Sequence, residues 1–189
     1  MTSWFFDPLM PLHYELLVID SPWDFGLYSD KGNQKAAQRQ YSCMKDDEIL
    51  GMPVGQLASI DCLLYLWATA PQLPLAIECC RAWGFEYKSF MVWRKLTAGG
   101  KERMGTGYRV RTTAEIVIVG ALGNPKQSTI PRTVFDGIAR EHSRKPDEFY
   151  DLCDRVMPQA RRADVFARES RAGWHSFGNE ATKFDEVAA

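Results

Sequence analysis

The sequence has almost no net charge: 23 Lys and Arg nearly balance 24 Asp and Glu, leaving −1 at neutral pH. That excludes a global field of one sign drawing the whole molecule to nucleic acid or to a membrane surface, so any polyanion contact needs a local patch. No apolar run reaches about 18 residues, and no membrane span is expected. The opening stretch MTSWFFDPLMPL lacks a basic start and a long apolar segment, so a cytoplasmic location is expected. The five cysteines are odd in number and form no CxxC, which argues against a disulfide framework or a zinc site. Cys62, Cys79 and Cys153 lie in apolar-patterned segments, where cysteine acts as a small hydrophobe. The histidines, His13, His142 and His175, have a spacing that matches no metal motif. No G-x-G-x-x-G follows the first strand-like segment, which disfavours a nicotinamide-dependent enzyme. What remains is 189 residues, 46% of them hydrophobic, enough for one globular domain spanning 1–189.

Strand-like and helix-like segments alternate along the chain. Leu16–Asp20 is the first strand, and its Leu16, Leu17, Val18 and Ile19 form an unbroken apolar run, the pattern of a strand covered on both faces. A short helix is predicted from Asp46 to Leu50, and Cys62–Ala68 is a second buried strand. Leu73–Trp83 reads as a helix with Ile77, Cys80 and Trp83 on one face and Gly84 as its stop. Ser89–Trp93, Glu115–Val119 and Ala163–Ala167 are further strands. Pro146–Met157 is the clearest helix, with Phe149, Leu152, Cys153, Val156 and Met157 at helical spacing. This order predicts an α/β three-layer sandwich. Asp24–Met44 and Leu96–Thr113 show no period, and loops that long in a compact domain tend to be functional.

Asp20-Ser21-Pro22-Trp23 closes the first strand, at the end where open α/β sheets bind ligands. An acid, carbonyls held by a proline and a flat ring suit an exocyclic amine on a flat base. Taken alone, Asp20 reads equally as a turn cap and Trp23 as a core filler. Between Lys88 and Arg111 stand seven basic residues (Lys88, Arg94, Lys95, Lys101, Arg103, Arg109, Arg111) against one acid, Glu102. A solvated loop is the ordinary reading of such a run. Its contrast with the neutral whole, and Tyr108 among the arginines, favour a phosphate-contacting surface.

The DSPW turn, the LLYLWAT strand, the helix ending AWGFEYK, the MVWRK strand, HSRKPDEFY, FARE and WHSFGNE occur in the order of the MT-A70 family, which the chain resembles from about Leu16 to Glu180. The resemblance implies an S-adenosylmethionine-dependent adenine N6-methyltransferase. It also implies a Rossmann-like methyltransferase sandwich with permuted motifs, the catalytic turn first and the main cofactor motif last. Short stand-alone members are similar to bacterial and phage forms taken to act on adenine in DNA, whereas larger eukaryotic relatives methylate RNA. The usual family turn is Asp-Pro-Pro-Trp, and Ser21 replaces its first proline, keeping the carbonyl but losing the fixed φ.

On this resemblance, Asp20 and the Ser21 carbonyl accept the two N6 hydrogens and localise the nitrogen lone pair, and Trp23 stacks on the base. Such stacking is worth about 1–3 kcal/mol. The target adenine has to leave a duplex or arrive single-stranded. Phe166 and Arg168 follow the last strand as in the family's cofactor motif. Asn179 and Glu180 resemble the pair that binds the ribose hydroxyls and adenine. Lys145 reads either as a partner of the methionine carboxylate or as a solvated lysine at a helix start. Phe6, Asp7 and Leu9 correspond to the adenine end of the cofactor pocket. No metal is implied. Tyr41 reads either as a flank of the target base or as a packed tyrosine. The implied partner is nucleic acid, with DNA favoured over RNA because no RNP1 sequence or zinc knuckle is visible. Homodimers, or heterodimers with a related subunit, are also implied. RNA methylation, or a non-catalytic nucleic-acid-binding subunit on the same fold, are the competing readings.

Overall fold

The structure is a computed structural model that describes residues 4–23, 43–107, 109–141 and 143–185. Seven strands form one mixed sheet: β1 (Tyr14–Ile19), β2 (Ala58–Ala68), β3 (Glu86–Leu96), β4 (Ala114–Leu122), β5 (Val134–Ile138), β6 (Arg162–Val165) and β7 (Trp174–Phe177). Their spatial order is β5-β3-β4-β2-β1-β6-β7. β1 lies parallel to both β2 and β6, β7 is parallel to β6, and β4 runs antiparallel to β2 and β3. The helices are α1 (Asp46–Leu50), α2 (Leu73–Ala82) and α3 (Asp147–Val156).

The apolar run of β1 is covered on both sides, as its sequence predicts. Leu17 and Ile19 join Cys62, Leu64 and Leu66 of β2 in a cluster with Ile49 of α1 and Ala76, Cys79 and Cys80 of α2. Leu16 and Val18 face the other way, with Leu63, Tyr65 and Trp67, beneath Phe149, Leu152, Cys153 and Val156 of α3. Period-2 alternation thus feeds two cores from the same strands. The result is the α/β three-layer sandwich expected, with helices on both faces. Gly84, at φ +89°, ends the α2 turn in a backbone region open to glycine.

Several boundaries differ. The inward face of α2 is Ala76, Cys79 and Cys80, with Ile77 only half-buried. β6, expected to run to Ala167, stops at Val165 because Phe166 turns to φ +64°. β5 and β7 carry too few apolar residues to announce themselves. β5 is an edge strand, and β7 is four residues long.

Candidate active site

Chain connections leave β1 toward α1 on one face, whereas β6 is reached from α3 on the other. Such a reversal opens a crevice at the carboxyl ends of the strands. A cavity of about 210 Å³ lies there, lined by Asp20, Ser21 and Pro22 after β1, Phe166 and Arg168 after β6, and Asn179 and Glu180 after β7, among others. Met44 and Ser143 complete its wall, and neither announces itself in the sequence. Residues about 150 positions apart are joined because β1 and β6 are hydrogen-bonded neighbours.

The local backbone is built for this meeting. Asp20 N–H donates to the Val165 carbonyl at 3.2 Å, tying the turn to the end of β6. Gly178, at φ +146°, passes so close to Phe166 that an added Cβ would stand 2.9 Å from the Phe166 Cα. Only glycine admits both that approach and that backbone. Arg168 pairs with Glu180 at 2.7 Å, joining the two segments across the cavity wall.

Asp20 sits in a chain of half-buried charges. Lys145 Nζ lies 2.9 Å from its carboxylate and 3.2 Å from that of Glu115, and Lys95 holds Glu115 in turn. The Lys145 side chain is 10% exposed and lies 5.0 Å over the Trp67 ring, so it is not the solvated lysine of a helix start. Burial pushes the Asp20 pKa up, and Lys145 offsets that only in part. Burial also favours neutral Glu115, but Lys145 and Lys95 outweigh it and bring its pKa to about 2. For Lys145, burial opposes the charge, yet Asp20 and Glu115 together hold it protonated above the usual lysine range. Behind this group, a small polar recess is lined by Asp20, Lys145, Tyr150, Asp164 and Arg171, among others. Tyr150 donates to Asp164 at 2.8 Å, and burial raises the Asp164 pKa to about 7.

Three sequence expectations meet a different arrangement. Trp23 is 3% exposed within the core, its indole N–H donating to the Trp67 carbonyl at 3.2 Å. It is not among the described residues lining the cavity, so this conformation presents no stacking face there. Asp7 is exposed, while Phe6 and Leu9 are buried in the core beside Phe177, away from the cavity lining. The Ser21 carbonyl, expected as an amine acceptor, accepts the Trp23 N–H at 2.8 Å, and the Pro22 carbonyl accepts Met44 N–H at 2.9 Å.

The basic run is partly neutralised. Lys88 pairs with Glu86, Arg94 with Asp136 and Lys95 with Glu115, all acids outside the window that makes the run look so positive. Lys101, Arg103, Arg109 and Arg111 remain exposed, with Arg103 donating to the Ala139 carbonyl at 3.3 Å. Tyr41, Tyr108 and His142 lie outside the described residues. Glu115, Asp164 and Tyr150 belong to the site, and sequence reasoning does not single them out. The one signal for Glu115 is an acid at the start of an otherwise apolar strand.

A family model described as MT-A70 matches residues 14–180. The chain is 34% identical over 172 residues to an Arabidopsis thaliana protein named N(6)-adenosine-methyltransferase MT-A70-like, covering 88% of this chain and 24% of that protein. It is 27% identical over 186 residues to the type II methyltransferase M.MunI of a Mycoplasma species, covering 88% of this chain and 77% of that protein. A third relative, the mouse N(6)-adenine-specific methyltransferase METTL4, is 28% identical over 191 residues, covering 92% of this chain and 39% of that protein. The chain thus spans about a quarter of the length of the plant relative. With the match running from the first residue of β1 through Glu180 of the cavity wall, the fold and the site both lie inside the matched region, and the chain belongs to the MT-A70 family.

Proposed function

We infer that this protein transfers a methyl group from S-adenosylmethionine to the N6 amine of adenine in DNA. The observation that carries this reading is Asp20, a half-buried carboxylate held on Lys145 at the edge of a cavity whose other walls are Phe166, Arg168, Asn179 and Glu180. The donor set fits the cofactor. Asn179 and Glu180 offer the amide and carboxylate that a ribose diol requires, and Phe166 offers an apolar surface. When bound, S-adenosylmethionine supplies an electrophilic methyl group on a sulfonium.

The chain's own residues supply placement and proton handling. The adenine N6 lone pair is delocalised into the ring, and an acceptor on an N6 hydrogen favours a localised pair. Asp20 is that acceptor. Lys145 favours its ionised form, and burial favours its uptake of the proton that the alkylated nitrogen must lose. Glu115 and Lys95 fix Lys145 in turn. Beyond the site, Lys101, Arg103, Arg109 and Arg111 are exposed on the Leu96–Thr113 segment and form the surface assigned to the phosphates.

DNA is placed first on the resemblance to the short bacterial and phage forms. RNA is the second reading, because the Arabidopsis relative carries adenosine in its name. The test is transfer of labelled methyl to duplex DNA, single-stranded DNA and RNA. Label on the N6 of adenine in DNA, reduced at least 100-fold in Asp20→Ala, is the expected result. Label on RNA alone moves the assignment to RNA. No transfer to any of the three, with cofactor bound, moves it to the non-catalytic subunit.

A further inference from the structure

The cavity wall that carries Asn179 and Glu180 lies in turns after β7, outside any helix or strand. What fastens it lies in residues 181–185, beyond the region 14–180 that the family model matches. The Phe184 N–H donates to the Arg168 carbonyl at 3.0 Å, and the Ser170 N–H donates to an Asp185 carboxylate oxygen at 2.7 Å. The chain leaving β7 is thereby clasped to the chain leaving β6. The Phe184 ring sits 5.0 Å from the Arg144 guanidinium and 5.2 Å from that of Arg168. Those two arginine side chains are only 19% and 10% exposed. A guanidinium over an aromatic face gains most where water is kept away. One ring therefore joins the residue before Lys145, the turn after β6 and the wall after β7.

Phe184 itself is not among the described residues lining the cavity. We propose that Phe184 is a positioning residue of the cofactor site: its ring holds the Arg168 guanidinium where it pairs with Glu180, and so fixes the Glu180 carboxylate against the cavity. Without the ring, Arg168 and Glu180 gain freedom that a bound cofactor must remove, and the entropy of that ordering appears as weaker affinity. Steps after binding are spared, because Asp20 and Lys145 are held from the other side by Glu115 and Lys95. The coupling also runs in reverse, since a ligand whose affinity rises with the closed clasp stabilises that clasp by the same factor. The inference rests on the S-adenosylmethionine reading above.

The experiment compares wild type with Phe184→Ala, Phe184→Leu and Phe184→Tyr. It measures the Kd of S-adenosylmethionine by calorimetry, kcat and cofactor KM on the accepted nucleic acid, Tm without ligand, and amide exchange at Ser170 and Phe184 with and without cofactor. Phe184→Ala is expected to raise Kd and KM together about tenfold, the size of a well-enclosed cation–π contact. Its kcat at saturating cofactor should stay within about twofold, because the loss is in binding. Leucine keeps apolar bulk but has no ring face, so Phe184→Leu should bind nearly as weakly as Phe184→Ala, while Phe184→Tyr restores affinity. In wild type, cofactor should slow exchange at the Ser170 and Phe184 amides. A Phe184→Leu that binds like wild type reduces the residue to apolar packing and overturns the proposal. So does an unchanged Kd in Phe184→Ala, a fall of Tm and kcat along with affinity, or no added protection at either amide. In each of those cases wild-type binding and methyl transfer leave the methyltransferase reading intact. A wild type that binds no S-adenosylmethionine overturns both.

Discussion

Lys145 is the residue on which the corner turns, since it is shared by two carboxylates that would otherwise repel each other inside the protein. Removing one partner of a largely enclosed ion group leaves the others uncompensated, a loss of at most about 3–5 kcal/mol. Lys145→Met should show that loss at neutral pH, by chemical denaturation. The sign with pH follows from Glu115. Its folded pKa of about 2 lies below the ordinary 4.5, so its stabilising contribution is present above 4.5 and fades as pH falls toward 2. The gap between wild type and Lys145→Met should therefore narrow on acidification. In the same variant Asp20 loses its cation, its pKa rises further, and the acidic limb of the pH–rate profile should move to higher pH. Composition and spacing contain none of this network. Lys145 reads either as a partner of the methionine carboxylate or as a helix-start lysine, Glu115 as a strand residue and Lys95 as part of a basic run, and only the fold brings their ammonium and carboxylate groups together.

At the scale of elements, the legible parts are those with a strong period and two covered faces. β1, β2 and α3 are near where the pattern puts them because each contributes an uninterrupted apolar stripe to a core. β5 and β7 escape notice because edge position and shortness remove that stripe. Trp23 misleads for a related reason: a large ring beside an acid in a turn suits a stacking platform and a core equally well, and here the Trp67 carbonyl holds it in the core. α3 is the element that carries Lys145 at its entrance and closes the second core. Phe149 is its main anchor, 4.7 Å from the Trp67 ring and 5.8 Å from Tyr65. Phe149→Ala should cost about 3–5 kcal/mol in denaturant unfolding. It should also lower activity, because the Lys145 position depends on the same helix.

Across the whole molecule, charge balance hides a local asymmetry smaller than the linear sequence suggests. Acids at Glu86, Glu115 and Asp136 come from outside the basic window and cancel three of its members. If the exposed remainder touches phosphates, Arg103→Ala and Arg111→Ala should each flatten the dependence of log K on log salt, by about 0.9 for each phosphate no longer neutralised on duplex DNA or about 0.7 on a single strand. An unchanged slope in both would remove this surface from the binding site. The cavity is also assembled from both ends of the chain, Asp20 to Pro22 meeting Phe166 to Glu180. During synthesis, the acid therefore emerges from the ribosome long before the walls that face it. A prematurely terminated product carries half a pocket and no complete site.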